Sequence, residues 1–187
     1  MVIKSSILLF FFKMINIKHY ASPIGDILLA SRNKKLIGVW FKGQKYYLAN
    51  VSDEIIEKDD ETLIKVKKWL DAYFSGEKPL INELDLDPAG TDFRKEVWNI
   101  LCEIPYGKTT TYKDIANQIA KKRGIEKMSA QAVGGAVGHN PISIIIPCHR
   151  VVGSNGDLTG YAAGIEKKKF LLKHENTNQL LIYTKSN

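Results

Sequence analysis

The sequence predicts an α+β fold: a small N-terminal antiparallel-sheet domain with one helix, then a mainly helical C-terminal domain containing a winged-helix-like helix-turn-helix. Three observations predict it. Short apolar runs separated by turn residues fill Met14 to Phe41, a helical period takes over at Glu61, and two helical patterns joined by a glycine-bearing turn lie between Thr111 and Gly138. The expected boundaries are 14–90 for the first domain with its linker and 91–187 for the second, with residues 1–13 an extension outside the fold.

The extension superficially resembles a secretory signal, because Ile7 to Phe12 is apolar and follows Lys4. It is too short to span a bilayer, Lys13 closes it, and no small-residue cleavage site follows before Ile15. Met14 is an alternative start, and a cleaved or anchoring peptide is the alternative reading of residues 1–13. Three β-type runs come next, Ile15 to Tyr20, Asp26 to Ser31 and Lys35 to Phe41. From Glu61 to Phe74, Leu63, Val66, Leu70, Tyr73 and Phe74 recur at helical spacing with lysines opposite, and Ser75-Gly76 ends the helix. Pro79, Pro88 and Gly90 then punctuate a linker without a sustained period.

Thr91 is a candidate N-cap for a helix carrying Phe93, Val97, Ile100 and Leu101 on one face, and Pro105-Tyr106-Gly107 breaks it. Thr111 and Asp114 have capping-box character before the stripe Ile115, Ala116, Ile119 and Ala120, which Gly124 closes. Ser129 opens a second short helix, Ala130 to Gly138, completing the helix-turn-helix. Each glycine inside that helix costs about 1 kcal/mol relative to alanine. Gly134-Gly135 therefore implies a close approach to the helix backbone, either by another helix or by a nucleic acid groove.

At 44% hydrophobic and 25% charged residues, the composition excludes membrane-spanning and disordered classes. A formal charge of +7 suits a polyanionic partner, and nucleic acid is the expected one. Cys102 and Cys148 are the only cysteines, too few for a disulfide framework or a four-thiolate zinc site, so a reducing, cytoplasmic setting is expected.

Pro147-Cys148-His149-Arg150 closes the apolar run Ile144-Ile145-Ile146. A thiol is a strong nucleophile as thiolate, and a neighbouring imidazole or cation lowers its pKa, so the tetrad suggests an activated cysteine. A buried structural cysteine is the alternative for the tetrad taken alone.

Together the motifs resemble the methylated-DNA-protein cysteine methyltransferases, or O6-alkylguanine-DNA alkyltransferases. The resemblance rests on Tyr112, Ala130 to Gly135, Asn140-Pro141, Pro147 to Val151, Gly160-Tyr161 and Leu171-Leu172-Lys173-His174-Glu175, in the family's order and near its spacing. It covers residues 91–175 well, whereas the N-terminal half is similar only in element order.

The resemblance implies single-use repair by direct reversal: Cys148 takes the alkyl group from O6 of a damaged guanine, with O4-methylthymine as a second substrate, and no cofactor and no metal take part. It makes His149 the base that accepts the thiol proton through an ordered water, Glu175 the partner of the other ring nitrogen, and Asn140 a brace for the turn. Tyr112 would offer its hydroxyl to N3 of the extruded base. Backbone groups near Cys148, Val151 and Ala162 would read the base edge, and Tyr161 would wall the pocket. Ala130, Gln131, Ala132 and Gly134 lie on the helix expected to meet DNA. The partner the resemblance implies is double-stranded DNA carrying O6-alkylguanine. The protein is expected to be a monomer with no obligate protein partner and no membrane association.

Departures from the family pattern carry expectations of their own. Gln131 stands where many relatives have arginine, which implies weaker or differently selective base extrusion. Ala163 stands where relatives often have glycine, adding a methyl near the pocket rim, which implies that bulky O6 adducts are accepted less readily. Arg150 is expected to be structural, reaching backbone carbonyls, and Lys167-Lys168-Lys169 a solvated helix face. The rival functions are an alkylated-base-binding module, a cysteine hydrolase and an alkylation-sensing DNA-binding regulator. Cys148 disfavours the first, and adjacency of Cys148 and His149 disfavours the second.

Overall fold

The computed structural model describes residues 14–49 and 51–175. The leading extension, residues 1–13, and residues 176–187 lie outside the described residues. Strands β1 (Met14–Ser22), β2 (Gly25–Arg32) and β3 (Lys35–Phe41) form the antiparallel meander that the apolar runs predict. Asn33 and Lys34 turn β2 into β3 with φ of 51° and 62°, the pair of positive values that a two-residue hairpin turn matching the strand twist requires. A fourth strand, β4 (Glu54–Glu57), adds to β1 in parallel and gives the order β3-β2-β1-β4. Sequence patterning missed it because three of its four residues are exposed and its Ile55-Ile56 pair does not alternate.

Helix α1 (Glu61–Phe74) lays Leu63, Val66, Leu70 and Tyr73 into the core, and Asp60 caps it by accepting from the Leu63 N–H. Helix α2 (Asp92–Cys102) is capped by Thr91. Helix α3 (Tyr112–Arg123) begins at a complete capping box of Thr111 and Asp114 and ends at Gly124 with φ 63°. Helix α4 (Ala130–Gly138) starts at Ser129, and α5 (Ile165–His174) follows the loop after the cysteine. A two-stranded parallel pair, β5 (Thr110–Thr111) and β6 (Val151–Val152), joins the start of α3 to that loop.

One buried cluster runs from Ile27, Leu29 and Val39 of the sheet through Leu70 of α1 and Trp98 of α2 to Ile144, Cys148 and Leu171, so both halves of the chain share a core. The outer edge of β3 explains how the loop that carries Cys148 is placed. Leu36 bonds Asp85 and Asp87 through its N–H and carbonyl, and Val39 does the same with Pro141 and Ser143. Two loop segments thus occupy the β3 edge that would otherwise be unpaired. The chain leading into Cys148 is thereby held on the sheet.

Candidate active site

Asn140 organises the reactive loop. Its Oδ1 accepts the Ile142 N–H at 3.0 Å, and its Nδ2 donates to the Ile146 carbonyl at 2.8 Å and to Cys148 Sγ at 3.1 Å. One buried amide therefore spans the turn from 140 to 148. Inside it, Ile144 has φ 71°, a left-handed conformation that is unfavourable for a β-branched residue. Such strain persists only where surrounding bonds over-determine it. Here Ser143 N–H donates to Val39 O and Ile146 N–H to Ile142 O on either side. A single 3-10 turn, Cys148–Arg150, then presents the thiol.

Glu175, just past the end of α5, receives five donors. Its Oε1 accepts from His149 Nε2 at 2.7 Å, Tyr73 Oη at 2.9 Å and Arg150 Nη2 at 3.0 Å. Its Oε2 accepts from Arg150 Nε at 2.8 Å and the Gly107 N–H at 3.1 Å. Gly107 is required there, because it has φ +71° and a Cβ would meet the Glu175 carbonyl oxygen at 2.8 Å. Burial pushes the Glu175 carboxyl up, but the His149 and Arg150 interactions outweigh it and hold the group well below the usual carboxylate range. As an ionised acceptor, Glu175 can only receive the proton on Nε2, which fixes the tautomer. His149 Nδ1 is left as the basic nitrogen, buried without a hydrogen-bond partner among the described residues. Burial also pushes the His149 pKa down, so the imidazole rests neutral.

The thiol is not activated in the way the tetrad suggests. Burial raises the Cys148 pKa, against smaller lowering contributions from the Asn140 hydrogen bond and the Lys168 charge. His149 is neutral, and Arg150 turns away to Glu175 and to the Ile104 carbonyl at 2.6 Å. The resting group is a protonated thiol beside a neutral base. Arg150 does hold carbonyl and carboxylate groups, as a structural role requires. The lysine run behaves differently: Lys168 is fully buried, and its Nζ donates to the carbonyls of Val151 at 2.6 Å, Thr159 at 3.0 Å and Gly160 at 3.3 Å. Burial lowers its pKa to about 8. Lys169 alone fits a solvated face, since Lys167 is half-buried with its Nζ 5.5 Å from the centre of the Phe41 ring.

Cys148 opens into a cavity of about 340 Å³ lined by Tyr112, Gly134, Gly135, Gly160, Tyr161 and Ala162 together with Lys45 and Tyr46 from the N-terminal half. The Tyr112 hydroxyl donates to the Thr159 carbonyl at 3.0 Å, and its pKa is raised by burial, so it rests as a proton donor. Ala130 and Gln131 line an adjoining groove with Tyr112 and Gly134. Gln131 and Ala132 are exposed on α4. Val151 is buried, with its carbonyl engaged by Lys168. A Cβ on Gly135 or Gly138 would meet nothing within 4 Å, and one on Gly134 would make only ordinary contact with the Tyr112 ring. Packing within the protein therefore does not account for the glycines of α4.

Three residues at this site were not foreseen. Tyr73 was read as core, and its hydroxyl gave no signal from sequence. Lys168 was hidden by its two charged neighbours, and Tyr46 lies in a loop with no regular pattern. Among the described residues, no group of three or more His, Cys, Asp or Glu side chains is placed to hold a metal ion, and no helix is long and apolar enough to cross a membrane.

Residues 16–88 match the family model described as 6-O-methylguanine DNA methyltransferase, ribonuclease-like domain, and residues 92–177 match 6-O-methylguanine DNA methyltransferase, DNA binding domain. The chain is 50% identical over 157 residues to a methylated-DNA--protein-cysteine methyltransferase of Methanosarcina barkeri, covering 84% of this chain and 94% of that protein. It is 41% identical over 164 residues to the protein of that name from Mycobacterium bovis, covering 88% and 94%. Among solved structures it resembles Mycobacterium tuberculosis OGT in complex with DNA, at 36% identity with a TM-score of 0.72, covering 91% of this chain and 99% of that one.

Proposed function

The chain belongs to the 6-O-methylguanine DNA methyltransferase family, and from that premise we propose that it repairs duplex DNA by moving the alkyl group of O6-alkylguanine onto Cys148, once per protein molecule. The observation that carries this is a buried, protonated Cys148 thiol lining a cavity, next in the chain to a His149 whose Nε2 is tied to Glu175. His149 Nδ1 takes the thiol proton through a bridging water, while Glu175 stabilises the imidazolium that forms. The thiolate attacks the alkyl carbon, the S–C bond forms as the C–O6 bond breaks, and the electron pair stays on the guanine. Tyr112 gives its proton to N3 of the departing base, so a neutral guanine leaves, and the proton held on His149 restores the phenol. Atoms and charge balance without a cofactor. A thioether is not hydrolysed under mild conditions, so the protein is consumed.

The target atom lies inside the stack, so the nucleotide must be extruded to reach the cavity. The small outer surface of α4 suits close approach to DNA, with Gln131 exposed to take the place of the extruded base. Asn140 orients Sγ, Tyr161 and Ala162 line the pocket, and Ala130, Ala132 and Gly134 belong to the surface that faces DNA. Val151 acts through its backbone. A basic, cysteine-poor chain with this substrate works in the cytoplasm, next to DNA.

Incubating the protein with a duplex bearing one isotopically labelled O6-methyl group and mapping the peptides tests this assignment. Label on the peptide that contains Cys148 is the expected result. Label retained on DNA, or on another residue, overturns it.

A further inference from the structure

The N-terminal half supplies a wall of the cavity through the loop that follows β3. Tyr46 lies on that loop with φ 59°, and Leu48 follows at 53°. Two non-glycine residues in the left-handed region within three positions are costly, and the cost is met where neighbouring groups fix the backbone. Three such ties are present. Buried Gln44 accepts the Phe41 N–H at 2.9 Å through Oε1, and the same oxygen accepts from Ser143 Oγ at 3.3 Å on the reactive loop. The Lys45 N–H donates to the Ala162 carbonyl at 3.0 Å, on the far lip of the cavity. The Tyr46 ring stacks on His139, with centroids 3.9 Å apart and planes inclined by 25°. His139 is itself fixed at the end of α4, where Nδ1 donates to the Gly135 carbonyl at 2.7 Å.

A tyrosine used only for packing would be covered. Tyr46 remains 46% exposed, yet it is clamped and lines the same cavity as Cys148. A transferred methyl group needs only the space at Sγ, whereas a larger substituent must share the remaining cavity with this ring. We propose that Tyr46 is a specificity-determining residue, a fixed aromatic wall from the N-terminal half that limits the size of the O6 substituent the protein accepts. This rests on Cys148 being the alkyl acceptor.

The test compares single-turnover transfer from duplexes carrying O6-methylguanine and O6-benzylguanine. Tyr46→Gly is the informative variant, because glycine adopts φ 59° without strain and only the ring is lost. The ratio of benzyl to methyl rates should rise by roughly tenfold or more, the low end of what apolar pocket shape contributes to discrimination. Gln44→Ala and His139→Ala, which loosen the loop and the stack, should raise the ratio by less, with thermal melting to confirm folding. An unchanged ratio in Tyr46→Gly while methyl transfer proceeds overturns the wall. So does a fall in the ratio, since the ring would then aid large substituents. Failure of the unaltered protein to transfer methyl or benzyl to Cys148 from its respective duplex would instead overturn Cys148 as acceptor.

Discussion

His149 Nε2 lies 2.7 Å from Glu175 Oε1, with both side chains fully buried. This contact sets the proton inventory of the site: Glu175 keeps its charge, Nε2 keeps its hydrogen, and Nδ1 is free to act as a base. Arg150 and Tyr73 hold the same carboxylate, so removal of its charge affects folding as well as chemistry.

Glu175→Gln should therefore destabilise the fold by about 3–5 kcal/mol, the range seen when one partner of a buried ion pair is removed. Chemical denaturation measures this. Transfer by the folded fraction should also slow, because Gln cannot stabilise an imidazolium as a carboxylate does.

Tyr73→Phe removes one donor to Glu175 and leaves four. A loss of about 0.5–1.5 kcal/mol is expected, the net worth of a single hydrogen bond. Transfer rates with this variant would show whether α1 also tunes the relay.

Two depressed groups make stability fall on acidification: buried neutral His149 starts to cost stability below the unfolded imidazole value of about 6.5, and a further loss comes lower down from the carboxyl of Glu175. The Glu175 contribution is fully present above the unfolded carboxyl pKa of about 4.3 and is lost as pH falls towards the lower folded value, because the unfolded state binds the proton first. Denaturant midpoints should fall further on acidification below about pH 5, and Glu175→Gln should flatten that further fall. An identical acid slope in the variant would contradict the assignment.

The pH dependence of transfer should show no inflection at histidine's ordinary value. Burial lowers the His149 pKa, so the base stays neutral as pH falls and the rate drops only at more acidic pH. A rate profile with a midpoint near 6.5, the unperturbed imidazole value, would count against this.

Much of the fold was legible because local chemistry marks it. The Thr91, Thr111 and Ser129 caps and the Gly124 stop all act where their spacing places them. Strand β4 was not legible, since an exposed edge strand of four residues carries no alternation. At the site, the tetrad stands out by its own chemistry, whereas Glu175 is reached only through resemblance, because contact between residues 26 positions apart leaves no periodic trace. Proximity in sequence misled for Cys148 and Lys168. The neighbours of Cys148 suggested an acidified thiol, but burial dominates; the lysine run suggested solvent, but the middle lysine points inward to three carbonyls.

Gln131→Arg should speed transfer on duplex more than on the free modified base, because the exposed position on α4 acts on extrusion and not on bond breaking. Single-turnover rates on both substrates measure the difference. Equal acceleration on both would remove Gln131 from the extrusion step.

We propose that Cys148 is an acceptor consumed by its own reaction. Titrating a fixed amount of protein with excess O6-methylguanine duplex and counting methyl groups removed tests it most directly. Removal should stop at one methyl group per protein molecule, with Cys148→Ala removing none while still binding DNA in a salt-sensitive manner. Removal that continues past equivalence, or that survives Cys148→Ala, would contradict it.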